Sequence, residues 1–539
     1  MPSQRVDRVF LSLVVVVTVL GAGIEIVQWL RNAPLWVDEE MIALNFRDRP
    51  FSRLAGPLWL GQSAPLGWLA TQRAVLLTLG TSELVLRLIP LMFGIGLLIA
   101  AAWVGLRWMG GIAAMTLVAM LAVAEWISHY TFELKHYSAD TFWALLLPAL
   151  AVWALEQNEE VLRARRRWML WWLTAAIGQL FANGAMLVTP ACAVVMFAVI
   201  LRRGGVRHVT PFVAASAIWF VTFAAHYWLS LQYTQNSRFL WSIWGGEVRP
   251  ESAGLVETVR WLAGRLEPIA WRPGGATAPL LFWIAASAGF IVGRRRLPGV
   301  MFVVVPLFAM LLAVLRLVPL YDRFALWMVP ALYVGIALLL DTGVHHTVGG
   351  WMTRRWIRVA SGLGFTAIAL SAAADVVVQG RRHLDIGVPA DNNHGVDDRT
   401  AVKWLLAQSR PGDAVVATRL GWPGIWWYGN IPLSPRPPGG KLPGGVPMIE
   451  MYHQRIDCGT DLETLASEHQ RLIVYVGFPD HEPEFRSLVV EELRTVGRIV
   501  ESRDFAALSR VLIVETGSAP AAPTSPAKEC VGVGVARRW

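Results

Sequence analysis

The opening of the chain decides its fold: the apolar run VFLSLVVVVTVLGAGIEIVQWL at residues 9–30 is followed by LWVDEE at residues 35–40. The run is long enough to cross the hydrocarbon core of a bilayer as a helix. Three consecutive carboxylates, Asp38, Glu39 and Glu40, then follow the end of that helix. Such charges are costly there unless they face water, a cation or a reacting group. We therefore expect the remainder to be a membrane scaffold built around this acidic segment, Asp38–Glu40.

The composition indicates a membrane protein with several spans. Of the 539 residues, 55% are hydrophobic and 16% are charged, and the mean hydropathy is +0.46. A soluble domain is usually about a quarter charged. The net charge is +9, and its arginines gather in short loops, as they do where arginines in cytoplasmic loops determine the orientation of membrane spans. No nucleic-acid-binding module is recognisable. Cys192, Cys458 and Cys530 show neither zinc-ligand spacing nor a CxxC pair, and a Cys458–Cys530 disulfide stays open.

Apolar segments recur along the chain and predict about eleven spans with the first. The further segments lie at about 84–107, 111–128, 141–156, 168–183, 185–201, 211–231, 278–293, 299–315, 322–341 and 357–378. Arg5 and Arg8 precede the first span, which puts the N-terminus in the cytoplasm, and the later arginine clusters fall on the same side. We therefore expect a multi-pass protein of the plasma (inner) membrane with the acidic segment outside the cytoplasm.

Two polar-flanked segments, at about 65–80 and 252–268, predict helices that lie along the membrane surface. For the first segment the alternative is a re-entrant piece buried in the membrane. The second segment either contacts substrate or is a simple lid that packs over the bundle. Residues 380–516 alternate short strand and helix patterns, which predicts a small extracytoplasmic α/β domain. The predicted domains are a membrane domain at 1–379, the α/β domain at 380–516 and a disordered tail at 517–539.

Four motifs in this order resemble those of GT-C-type glycosyltransferases. They are LWVDEE at 35–40, SELVLRLIPLMFG at 82–94, FELKHYSAD at 132–140 and PLYDRF at 319–324. The closer resemblance is to bacterial aminoarabinose and galacturonic-acid transferases of lipid A and to protein O-mannosyltransferases. It implies helical spans around a cavity that opens outside the cytoplasm, and a polyprenyl-phosphate-linked sugar as donor.

The residue chemistry suits such a transfer, which needs a base for the acceptor hydroxyl and cations for the departing phosphate. Asp38 is the predicted base, with a helix N-cap as the structural alternative, and Glu39 orients an acceptor or a metal. Lys135 and Arg323, with Tyr137, are the predicted donor-phosphate residues. Snorkelling to the interface is the alternative for the two cations.

Further candidates face the acceptor. Glu133, His136 and Trp68 are predicted acceptor or substrate residues, although a satisfied structural histidine is the favoured interpretation of His136. No cofactor is certain from the sequence. The resemblance allows a divalent metal ion shared by Asp38 and Glu133, whereas Glu40 is predicted to be solvated.

The sequence thus predicts an inverting, polyprenyl-phosphate-sugar-dependent hexosyl- or pentosyltransferase of the cell envelope. Its expected partners are the lipid-linked donor, membrane lipids and a glycan, glycolipid or protein acceptor. A transporter or flippase of lipid-linked sugars is one alternative, although no internal repeat of the kind common in transporters is evident. A non-catalytic envelope-assembly scaffold is the other, and it leaves the acidic segment unexplained.

Overall fold

The computed structural model describes residues 8–156, 161–384, 394–418, 420–432, 442, 446, 448–451, 462–478 and 485–517. Helices dominate these residues. In chain order they are α1 Arg8–Leu30, α2 Val37–Asp48, α3 Leu66–Leu79, α4 Glu83–Leu86, α5 Leu88–Trp108, α6 Gly111–Val123, α7 Glu125–His129, α8 Tyr137–Leu155, α9 Val161–Phe181, α10 Asn183–Gly204, α11 Val206–Ala215, α12 Ala217–His226, α13 Gln232–Gln235, α14 Arg238–Trp244, α15 Leu255–Trp271, α16 Pro279–Val292, α17 Arg296–Val314, α18 Val329–Met352, α19 Trp356–His383, α20 Asp398–Gln408, α21 Trp422–Tyr428, α22 Leu462–Glu468 and α23 Phe485–Val496. The strands are β1 Ala414–Thr418, β2 Met448–Met451, β3 Arg471–Val476, β4 Arg498–Phe505 and β5 Ser509–Glu515.

The chain divides into two compact units. The first comprises Met1–Leu30, Ala64–Gln72 and Leu86–Ile386, and the second comprises Arg31–Ser63, Arg73–Val85 and Gly387–Trp539. The second unit therefore takes in two early segments besides the predicted α/β region. The predicted boundaries at 379/380 and 516/517 stay predictions.

The first unit is a helical bundle whose composition fits a bilayer. Among the described residues, eight helical stretches are long and apolar enough to cross a membrane, and α6 and α16 are shorter apolar helices. All the predicted apolar segments fall in helices, as the hydropathy pattern requires. The apolar part of Asp322–Met352 is 94% buried, whereas that of Arg8–Leu30 is 17% buried. The former is therefore the centre of the bundle, and α1 lies at its edge.

The two predicted surface segments are also helical, as α3 and α15. On α15 the side chains of Leu255, Val256 and Val259 are 81%, 65% and 58% exposed. Three exposed apolar residues at helical spacing form an apolar face that suits a lipid interface. That α3 and α15 lie on the membrane surface stays a prediction.

The second unit is built on a mixed five-stranded sheet in the order β2-β1-β3-β5-β4. β1 pairs in parallel with β2 and β3, and β5 pairs antiparallel with β3 and β4. The predicted helix over 397–408 is α20, and the Asp397 side chain accepts a hydrogen bond from the Thr400 N–H at 3.0 Å, as a capping residue does. The patterns of β1, β3, β4, β5 and α23 are confirmed as well, whereas α21, α22 and β2 were not predicted. Cys458, Cys530 and the predicted tail beyond Gly517 lie outside the described residues.

Candidate functional site

The acidic segment forms the first turn of α2, in the second unit. The N-cap of α2 is Trp36, so the alternative of Asp38 as N-cap is wrong, and Asp38 is the second helical residue. Asp38 is partly exposed, whereas Glu39 is fully buried. The Glu39 carboxylate accepts a hydrogen bond from the Trp36 N–H at 3.2 Å, which closes the helix start. Within this turn, Asp38 is therefore the acid with partial access to a reacting group, and Glu39 has a structural contact.

Glu40 departs from the expectation of a solvated acid. Its side chain is fully buried because it faces Asp398 at the start of α20, itself 1% exposed. Asp398 accepts hydrogen bonds from the Tyr475 hydroxyl and, at 3.4 Å, from the Ser509 hydroxyl. Burial, then the Asp398 and Glu39 charges, raise the pKa of Glu40 well above its usual range. Burial likewise raises the pKa of Asp398 to about 7.

The predicted donor-phosphate residues lie in the first unit and meet around Arg323. Its guanidinium carbon is 5.1 Å from the Trp244 ring centroid, 5.7 Å from that of Phe324 and 5.9 Å from that of Tyr137. Aromatic faces hold a guanidinium in place without neutralising its charge. Arg323 and Tyr137 are therefore brought together as the sequence predicted, and their role in phosphate binding stays a prediction.

Lys135 contributes to the same positive environment. Burial, and then the charges of Lys135 and Arg323, together lower the pKa of His136 to about 3. Both cations thus act on one imidazole, which is neutral at physiological pH. Lys135 itself is only 6% exposed, so simple snorkelling into bulk water does not describe it.

His136 and Trp68 are more deeply placed than acceptor contacts would require. Nε2 of the His136 imidazole lies 3.0 Å from the Asn183 amide nitrogen and 3.7 Å from the Asp140 carboxylate. Asp140 in turn accepts a hydrogen bond from the Gly184 N–H at 2.7 Å. The Trp68 ring is fully buried, 6.2 Å from the His136 ring between centroids. The substrate contact predicted for Trp68 and the structural role favoured for His136 both stay predictions.

Glu133 is paired with His129, the last residue of α7. Its carboxylate is 2.5 Å from Nε2 of His129, and the side chain is 3% exposed. Carboxylate and imidazole are both ligand types for divalent metals, although an ion pair alone also satisfies them. Asp38 and Glu133 belong to different units, so the metal ion that they were predicted to share stays a prediction.

The sequence also offers Arg238, Arg272 and Arg316 as basic candidates that it cannot rank, and of these Arg272 lies 5.5 Å from the Trp126 ring centroid in the first unit. One pair of residues, in the second unit, was not found from the sequence. Asp398 and Tyr475 were treated only as parts of a helix and a strand. The unusual Asp397-Asp398 pair at a helix start was the one available signal, since only one acid is needed for a cap.

Comparison with solved structures identifies the architecture. The structure of ArnT from Cupriavidus metallidurans bound to undecaprenyl phosphate matches with a TM-score of 0.52 at 13% identity, over 96% of this chain and 98% of that chain. Its apo structure matches with a TM-score of 0.51 at 14% identity, over 94% and 98%. The archaeal oligosaccharyltransferase AglB from Archaeoglobus fulgidus, in complex with an inhibitory peptide and a dolichol-phosphate, gives 0.47 at 12% identity, over 90% and 72%. No protein-family model and no curated protein matches the chain.

The likeness to ArnT, a GT-C aminoarabinose transferase, confirms the predicted GT-C-like fold. The apolar helices and this fold together make the chain a multi-pass membrane protein. At such low identity the likeness shows the fold alone.

Proposed function

We propose that this chain is a membrane glycosyltransferase that transfers a sugar from a polyprenyl-phosphate donor to an acceptor hydroxyl outside the cytoplasm. The observation that carries the proposal is the group of cations around Arg323 and Lys135, on a GT-C-like fold. The ArnT structure with undecaprenyl phosphate supports a lipid phosphate as the leaving group. The acceptor is a cell-envelope glycan, a glycolipid or a protein.

In the proposed reaction, the acceptor oxygen forms a bond to the anomeric carbon while the bond from that carbon to the phosphate oxygen breaks. Attack from the face opposite the phosphate inverts the anomeric configuration. The proton of the acceptor hydroxyl goes to the Asp38 carboxylate, and the negative charge that develops on the phosphate is met by Lys135 and Arg323. Arg323 offers a planar fork to two phosphate oxygens, Lys135 a point charge, and Tyr137 a hydroxyl.

The position of Asp38 on α2 suits the role of a base. It is the partly exposed acid of a turn whose other two acids are buried. Partial exposure is what a base needs in order to contact a bound acceptor hydroxyl.

The test is sugar transfer by the purified full-length protein in detergent, supplied with radiolabelled polyprenyl-phosphate sugars and a membrane extract as acceptor source. The wild-type protein should release free polyprenyl phosphate and label an acceptor. Asp38→Asn should lower the transfer rate by about a hundredfold or more, because loss of a general base typically costs that much. The matched control is Glu501→Gln, an acid-to-amide change at an exposed position of β4.

Two results would overturn the proposal. Transfer by folded Asp38→Asn at the wild-type rate would remove Asp38 as the base. Movement of labelled lipid across a vesicle membrane with no covalent product would favour a transporter of lipid-linked sugars.

A further inference from the structure

The backbone just before the acidic segment is held by side chains of α20 and α21. The Arg399 guanidinium donates hydrogen bonds to the Asn32 carbonyl at 3.0 Å and to the Glu83 carboxylate at 3.2 Å. All three residues belong to the second unit, although they come from distant parts of the chain. Asn32 has a positive φ of 52°, a left-handed conformation that asparagine adopts readily, so the chain turns here directly before α2.

Tyr428, the last residue of α21, completes this arrangement. Its hydroxyl oxygen accepts a hydrogen bond from the Leu35 N–H at 2.7 Å, and its proton is donated to the Glu83 carboxylate at 3.1 Å. Leu35 is fully buried and Glu83 is 8% exposed, so water competes little for these bonds. One phenol therefore connects the chain three residues before Asp38 to the carboxylate that also binds Arg399.

The far end of α2 is attached to the same part of the second unit. Arg47 donates to the carbonyl oxygens of Trp426 at 3.0 Å, Trp427 at 3.3 Å and Ile431 at 2.6 Å. Arg47 also lies 5.2 Å from the Trp427 ring centroid. Glu40, in the first turn of α2, is also buried against Asp398, so α2 is held at both ends. A helix bound at both ends has little freedom to tilt or slide.

We propose that Tyr428 is a positioning residue, which holds the backbone before α2 so that the Asp38 carboxylate is correctly placed for the acceptor hydroxyl. The inference rests on the proposed function, since it assigns Tyr428 a role through Asp38. It gives the second unit an active part in the reaction: α20 and α21 determine where the base stands. Displacements of about 1 Å at a reacting group can cost a hundredfold in rate, so the hold on this segment matters for transfer.

The decisive experiment combines hydrogen exchange with kinetics on the full-length protein. Tyr428→Phe deletes one hydroxyl and leaves the ring in place. We expect the amides of residues 35–40 to exchange about tenfold faster, which is the scale of one lost buried hydrogen bond, while the amides of β3 and β5 keep their wild-type rates. The transfer rate at saturating donor should fall about tenfold, and the KM for the donor should stay within about twofold.

Matched variants separate positioning from general stability. Glu83→Gln keeps an acceptor for the Tyr428 hydroxyl and should have a smaller effect than Glu83→Ala, which should reproduce Tyr428→Phe. Tyr233→Phe removes the hydroxyl of a tyrosine that is 42% exposed, and it should match the wild type in both measurements.

Each outcome bears on one claim. Unchanged exchange at residues 35–40 in Tyr428→Phe would overturn the positioning role, whatever the activity. Faster exchange with an unchanged transfer rate would overturn it as well, because the freed segment would not matter for the reaction. Wild-type transfer by Asp38→Asn, by contrast, would refute the proposed base and leave the hydrogen-exchange result standing.

Discussion

Replacing Glu40 with glutamine tests whether the buried contact between α2 and α20 depends on a proton. Glu40 and Asp398 are both buried and face each other, and the charges of Glu39 and Asp397 act on the pair. The Tyr475 hydroxyl donates to Asp398, which favours the charged form of that acid. Two buried carboxylates in contact cannot both carry a charge without a large cost, so the folded protein should retain one proton between them.

The size of the effect follows from the pKa of Asp398. Burial raises that pKa from 3.8 to about 7, and each tenfold change in proton affinity is about 1.4 kcal/mol, which gives roughly 4 kcal/mol in total. Because the folded pKa is above the unfolded one, the folded state holds a proton that the unfolded state releases. The contribution of Asp398 to stability is therefore greatest below about pH 4 and falls as the pH rises from about 4 to 7, and the proton that Glu40 retains lowers stability with rising pH in the same direction.

Native-state hydrogen exchange of the full-length protein in detergent can measure this directly. The reporters are buried amides of α20 and β3, such as Ala401 and Val474, with the intrinsic pH dependence of exchange removed. Between pH 5 and pH 8 the opening equilibrium of the wild type should grow by about a hundredfold or more, since Asp398 alone accounts for about that much in this window. Glu40→Gln should flatten this dependence in part, because the amide cannot take up or release the proton that buried Glu40 retains, and it still donates a hydrogen bond to ionised Asp398.

A wild-type opening equilibrium that is flat from pH 5 to pH 8 would refute the shared proton. So would an equally steep dependence in Glu40→Gln, since the slope would then come from another group. Glu501→Gln, at an exposed position of β4, is the control and should keep the wild-type slope.

The membrane part of the fold was predictable from sequence because the bilayer imposes a single rule. A chain that crosses hydrocarbon must satisfy its backbone within helices, so a long apolar run predicts a helix almost regardless of its neighbours. The strands of the second unit were predictable for a similar local reason, as the buried runs of β1 and β3 show. That residues 31–63 and 73–85 belong to the second unit was not predictable, because this depends on contacts between distant segments of the chain.

The same distinction holds for the candidate site. Arg323 and Tyr137 could be paired from family motifs, and the structure brings the guanidinium to the Tyr137 ring. The burial of Glu40 could not be predicted, because three acids in a row give no local sign of which one faces another carboxylate. Trp68 shows how little a local pattern says about burial: an aromatic residue in a polar-flanked segment indicated a sugar contact, and its ring is fully buried, so that contact stays a prediction.

Two further substitutions test the geometry of the first unit. Arg323→Lys keeps the charge but loses the planar group that lies against aromatic rings, so the KM for the donor should rise about tenfold in steady-state kinetics, while the exposed Arg260→Lys should have no effect. Gly94→Ala should destabilise the protein by about 1–3 kcal/mol, measured by thermal unfolding in detergent, because overpacking a filled space forces neighbours to move. A Cβ at Gly94 would lie 2.8 Å from the Cβ of Thr131, whereas a Cβ at Gly23 would meet nothing within 4 Å. Gly23→Ala is therefore the matched control. If both alanine variants unfold at the same temperature, Thr131 can move aside without cost. The close approach of α5 to the loop at residues 130–136 would then not depend on the missing side chain at Gly94.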